Sequence, residues 1–251
     1  MSENPSPLKC RTCGQSFTRS QKPCGGWRIA FDKRPPSTIC KVHIGSALCR
    51  WEVIKQRRQL WRKIAPFFQG KPAAFLTLVP PKRLVAFDKL IKLNLENEKR
   101  AMRRWLRNKL RKGTVLVSIF DISLVDDQTG DQWVRYWVPH FHVLVAGMAA
   151  AELRKDCRQL YRATKEVRRP VHIRDAPTPK NALSYSLKHI DDIYGDSIFR
   201  RVTGSGKRGH RKQRLKREER ETLRKFMIQN PFRFYLYLKG FRLPGEKGPR
   251  K

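Results

Sequence analysis

Two apolar runs, Thr114–Val125 and Trp133–Ala146, flank the polar junction Asp126-Asp127-Gln128-Thr129-Gly130-Asp131. β-Branched and aromatic residues fill both runs and the junction contains Gly, so the pair predicts a β-hairpin with a loop longer than two residues. The segments around it fix the fold class. Ala73–Val79 reads as a strand stopped by Pro80-Pro81, and Val171–Arg174 as a short strand. Helical spacing of apolar residues extends from Ser46 to about Phe68, from about Phe87 to Leu110, and from Met148 to about Thr164. A further helix is predicted from Pro179, a residue suited to a first turn, to about Ile190. From residue 73 the order is β-α-β-β-α-β-α. Its first six elements match the split βαβ, ferredoxin-like arrangement. The expected class is α+β, with an RRM-like core on a central antiparallel sheet.

Three regions follow from composition: a Cys-rich module at 1–50, a core at 51–205, and a basic and aromatic extension at 206–251. The N-terminus (MSENPSPLKCRTC) has no apolar secretory core, so a cytoplasmic location is expected. In a reducing compartment, six Cys favour metal ligation or free thiols over a disulfide framework. Cys10 and Cys13 form a C-x₂-C pair, Cys40 and His43 a C-x₂-H pair; together they could hold a structural, zinc-ribbon-like Zn²⁺. Cys24 and Cys49 are left over, so a different ligand set or a second site stays open. Zinc would fold a segment short of apolar residues. Cys157, on an apolar helix face, reads as core.

The 56 Lys and Arg against 21 Asp and Glu leave a formal charge of +35. A chain so basic suits a polyanion better than a small neutral substrate. No apolar run is long enough to span a bilayer, and no helix has the broad apolar face of a membrane-surface segment. Thirteen Phe and six Trp argue against disorder; most belong to a core, although some could stack unpaired bases.

Within the second apolar run stands His140-Phe141-His142. Residues two apart on a strand face the same way, so both imidazoles project together and form half of a divalent metal site. A single acid, Asp121, interrupts the first run. A buried carboxylate is costly unless paired or metal-bound, and hairpin pairing could set Asp121 beside the two His. Two His and one carboxylate leave open positions for phosphate oxygens on Mg²⁺ or Mn²⁺. Tyr185 and Lys188, three apart on the last predicted helix, share a face. A phenol is a weak nucleophile at neutral pH unless a cation such as Lys188 stabilises its phenolate.

These features, in this order, resemble the three motifs of the HUH endonucleases, and most closely the rolling-circle replication initiator (Rep) proteins of small bacterial plasmids and related phages. Phe75-Leu76-Thr77-Leu78 resembles motif one, although Val79 stands where a second Thr is usual. Pro139-His140-Phe141-His142-Val143-Leu144 matches motif two, and Ala182-Leu183-Ser184-Tyr185-Ser186-Leu187-Lys188 resembles motif three. Asp121 falls where many of these proteins carry a metal-binding acid. The resemblance covers about residues 40–205. It implies a metal on His140, His142 and Asp121, and attack by Tyr185 on single-stranded origin DNA. A 5′-phosphotyrosine and a free 3′-OH primer would result, for a host helicase and polymerase to use. Tyr185 follows the His pair, the order of an initiator or a single-strand transposase rather than a relaxase. A transposase or mobilisation protein, and a non-catalytic basic nucleic-acid-binding protein, are the alternative readings.

Overall fold

The computed structural model describes residues 8–9, 16–17, 50–110, 114–129, 132–157, 161–188, 193–200, 208–230 and 236–240. Two short strands, β1 (Leu8–Lys9) and β2 (Ser16–Phe17), pair antiparallel. Cys10, Cys13, Cys40 and His43, and with them the zinc module, lie outside the described residues. Then come α1 (Arg50–Phe68), β3 (Ala73–Leu78), β4 (Val85–Ala86) and α2 (Leu95–Lys109). The hairpin strands β5 (Val115–Thr129) and β6 (Gln132–Ala146) lead to α3 (Ala150–Cys157), β7 (Val171–Asp175) and α4 (Pro179–Ser186). The chain closes with β8 (Tyr194–Arg200), β9 (Arg208–Arg214), α5 (Arg217–Gln229) and β10 (Leu236–Lys239). No helix among the described residues is long and apolar enough to cross a membrane.

The described residues are α+β, with an eight-stranded sheet ordered β7-β3-β6-β5-β8-β9, β4 also on β6 and β10 also on β5. Two 15-residue strands make this possible, because each is long enough to take two partners on its outer edge. β6 pairs β3 along Phe141–Ala146 and β4 at Tyr136–Trp137. β5 pairs β10 along Leu116–Ile119 and β8 along Leu124–Asp127. The last pairing is parallel, so the sheet is mixed and not purely antiparallel as expected. Tyr194–Arg200 (YGDSIFR) has a Gly, two charges and little alternation, which hid this strand from the sequence pattern. The hairpin also pairs further than expected, from Val115↔Ala146 out to Thr129↔Gln132, so two residues remain between its strands.

The predicted helix over 87–110 divides. Phe87–Lys92 forms a 3₁₀ segment, and α2 starts afresh after Asn94, whose side chain accepts from the Asn97 N–H at 3.1 Å. Asn competes for backbone donors in this way, making it a cap and a poor helix interior. Glu96 and Glu98 in the first turn suit the positive end of the helix. Leu95, Met102 and Leu106 bury one face of α2 in the core.

The described part of 206–251 joins the same body. β9 pairs β8, β10 pairs β5, and Leu223, Phe226 and Met227 of α5 enter the core, Phe226 lying 6.3 Å from Phe120 between ring centres. Cys157 is a core residue, as expected. Trp137 anchors the centre: fully buried, stacked on Phe87 at 5.9 Å, its indole N–H donating to the Phe87 carbonyl at 3.0 Å. Trp137→Ala is expected to cost about 3–5 kcal/mol by chemical denaturation, because it leaves a large cavity and an unpaired carbonyl. A loss under about 1 kcal/mol would contradict this packing.

Candidate active site

Register in the hairpin decides which side chains meet. Asp121 stands opposite His140, Ile119 opposite His142, and on the other side of β6 Thr77 stands opposite His142. Alternation then sets Asp121, His140, His142, Thr77 and Phe75 on one face of the sheet. The three expected ligands come together. Their ligand atoms lie within 4.8 Å of one another, all three residues are buried, and the group could hold a metal ion.

One carboxylate oxygen is the focus. Asp121 Oδ2 lies 3.2 Å from His142 Nε2, 3.3 Å from His140 Nε2 and 2.6 Å from Lys188 Nζ. Asp121 Oδ1 accepts from the Ile122 N–H at 2.8 Å. The imidazoles are held from behind, His140 Nδ1 by the Val138 carbonyl at 3.0 Å and His142 Nδ1 by the Thr77 hydroxyl at 3.2 Å. Contacts of this kind fix ring orientation and leave Nε2 to the ligand. The rings cross at 86° with centres 4.9 Å apart, so they share a face without being parallel.

Charge follows the geometry. Burial opposes ionisation of Asp121, but the electrostatic influence of His140, hydrogen bonds from both imidazoles and the Lys188 ammonium hold its carboxyl well below the usual range. His142 is pushed down to about 4, first by burial, against its hydrogen bond to Asp121, with His140 adding to the downward push. It is therefore neutral at pH 7, as a metal ligand must be. Burial would lower Lys188, yet the Asp121 carboxylate and its hydrogen bond raise it.

Acid should loosen this cluster. An unfolded His titrates near 6.5 and His142 in the fold near 4. The unfolded chain therefore takes up the proton first, and stability falls as pH drops from about 6.5 to about 4. Asp121, also depressed, extends the loss to lower pH. With chelator present, His142 accounts for a loss of up to about 3 kcal/mol between pH 7 and pH 4. Denaturation midpoints of wild type and His142→Gln across this window test it; equal acid slopes would refute it.

Tyr185 stands against the cluster and half open to solvent, at 51% exposure. Its ring centre is 5.4 Å from that of His142 and 6.3 Å from that of Phe75. Lys188 Nζ lies 4.7 Å from the Tyr185 ring centre. The helix is shorter than predicted. It ends at Ser186 with Leu187 as C-cap, so Lys188 lies beyond it and reaches Asp121 from a non-helical segment.

Sequence reasoning placed all five of these residues but missed the support. Thr77 orients His142, and Phe75 stacks on the same ring at 5.3 Å and 20°. Arg174, on the neighbouring strand, lies 5.1 Å from the Phe75 ring centre. A signal was present: Phe75 and Thr77 are two apart on a strand, hence on one face. No family model matches this chain, and no curated protein or solved structure is significantly similar to it.

Proposed function

We propose that this protein is a metal-dependent HUH-type endonuclease that nicks single-stranded DNA through Tyr185 and acts as a rolling-circle replication initiator. One observation carries the reading. A half-exposed tyrosine ring packs against His142 of a buried two-histidine, one-carboxylate cluster. The motif order on the chain and the charge of +35 support it.

The donor set fits a divalent cation, since two imidazoles and an ionised carboxylate converge on one point. Asp121, His140 and His142 would hold Mn²⁺ or Mg²⁺, which would supply a Lewis acid for a phosphate oxygen. The residues of the chain do the rest. The Tyr185 hydroxyl oxygen attacks phosphorus; the Tyr–O–P bond forms, the P–O3′ bond breaks, and the phenol proton leaves to solvent as the 3′-oxygen gains one. Lys188, near both ring and carboxylate, offers positive charge to the developing phenolate and the scissile phosphate. Lys and Arg elsewhere hold the DNA backbone with strong salt dependence. The 3′-OH released is a primer that a host polymerase could extend, with a helicase opening the duplex ahead.

The test is a denaturant-resistant protein–DNA adduct. Full-length protein, Mn²⁺ and single-stranded DNA covering the origin of its own replicon should give one, and chelator should abolish it. A second reading rests on Lys188, which neutralises Asp121 at 2.6 Å without any metal. On that reading the cluster is a structural ion pair in a nucleic-acid-binding protein. DNA binding with neither adduct nor Mn²⁺ uptake would establish it and overturn the first.

A further inference from the structure

Phe141 lies between the two histidines in sequence and therefore projects from the opposite face of β6. There it helps form a cavity of about 470 Å³, with Met102 of α2 and the Pro80-Pro81 corner as other apolar surfaces. The volume is in the range of small-molecule sites, ~300–1,000 Å³. It is a cleft open to solvent on one side, where Lys82, Arg83, Ala101 and Arg162 are exposed.

Beside the Thr164 and Tyr161 hydroxyls, its charged groups are few and of two kinds. Among the described residues, Lys82, Arg83 and Arg162 line it as cations, and Glu98 is the one acid. The Glu98 side chain is only 5% exposed and takes the Arg83 guanidinium on Oε1 at 3.1 Å. Among the described residues Arg83 is its ion-pair partner, which leaves the second carboxyl oxygen with capacity to accept. Tyr161 adds an aromatic surface, and its phenol, itself raised by burial, feels both Arg83 and Glu98. A ligand matching this lining has a flat apolar body, adjacent N–H donors on one edge and a negative charge at the other end.

We propose that the cavity binds one guanine nucleotide, with the paired N–H donors of the base edge on Glu98 and the phosphate on Lys82 and Arg162. A carboxylate accepts two parallel N–H bonds, here one on Oε2 and one on the lone pair of Oε1 that Arg83 does not use, and guanine presents that pair where adenine does not. Three cations against one acid leave a surplus suited to a phosphate. A free nucleotide and one within a DNA strand present the same chemistry to this lining. This site is separate from the metal cluster, on the other face of the sheet, and its occupation needs no nicking.

The experiment is calorimetric titration of the full chain, with chelator present so that the cluster cannot collect phosphate. One arm uses dGMP, dAMP and deoxyribose 5-phosphate; the other uses thymidine octamers with and without one central guanine. dGMP should bind about 10-fold or more tighter than the other two, because a site built for donors rejects a ligand lacking them. Glu98→Gln should erase the preference for guanine, and Arg162→Ala should weaken every phosphate-bearing ligand several-fold. Ala101→Trp, an exposed position on the cavity wall, should block binding even if the Glu98 variant folds poorly. A guanine preference seen only within the octamer assigns the nucleotide to a strand, and one seen with dGMP assigns it to solution; either supports the site. Equal binding of all ligands, or a guanine preference that survives Glu98→Gln or Ala101→Trp, overturns it.

Discussion

Asp121→Asn is expected to destabilise the protein by about 3–5 kcal/mol and to weaken Mn²⁺ binding at least about 100-fold. Three groups lean on one oxygen of this residue: the Lys188 ammonium and both imidazoles. Removing the negative charge leaves Lys188, most of whose side chain is out of water, without its counterion. That loss is far larger than for a surface ion pair, worth ~0–1 kcal/mol. The double variant Asp121→Asn with Lys188→Met should recover part of the stability, because no unpaired charge is then buried. Metal binding should not recover, since the anionic ligand is gone. Lys188→Met alone separates the two functional readings. The ammonium competes with a cation for Asp121, so the single variant should bind Mn²⁺ about 10-fold more tightly than wild type while losing stability in chelator. Mn²⁺ should then restore its denaturation midpoint, as any ligand specific to the native state does. Guanidinium denaturation and Mn²⁺ titration of the four proteins complete the cycle. An Asn variant as stable as wild type, with unchanged Mn²⁺ affinity, would remove Asp121 from the site.

The site was more legible in the sequence than the sheet that carries it. His140 and His142 declare themselves because alternation is a rule with a period of two, and Asp121 because a lone acid in an apolar run needs a partner. Pairing of adjacent runs then brought the three together with no long-range information. The parallel partner of β5 could not be found in this way. Tyr194–Arg200 lacks alternation, and its place depends on a crossover through β6, α3, β7 and α4, which no local pattern encodes. Lys188 shows the same limit on a smaller scale. Helical spacing put it on one face with Tyr185, and it does lie over that ring, but from beyond the helix end. Thr77 was visible as a residue and silent as a role, because its contact with His142 crosses 65 positions of sequence.

Tyr185→Phe is expected to abolish the covalent adduct, a fall of at least about 10⁴-fold in its rate of formation, while leaving DNA affinity within about twofold. The substitution removes one oxygen and keeps the ring. The contacts that place this ring, 5.4 Å from His142, 6.3 Å from Phe75 and 4.7 Å from Lys188 Nζ, involve its faces and edges and persist in Phe. Stability should therefore change little, since a residue half exposed to water gives up no buried hydrogen bond. Mn²⁺ affinity should also hold, because Tyr185 is not among the three converging ligands. This separation gives the variant its value: folding, metal and DNA binding intact, chemistry gone. The opposite pattern, full adduct formation by Tyr185→Phe, would mean that another nucleophile forms the link. Tyr194, nine residues on, would be the first to replace. Loss of DNA affinity together with the adduct would instead mean that the Tyr185 hydroxyl itself contacts the DNA, because stacking on an unpaired base, worth ~1–3 kcal/mol, is preserved by Phe. Only the first pattern, with binding retained and bond formation lost, agrees with a phenol oxygen that attacks phosphorus.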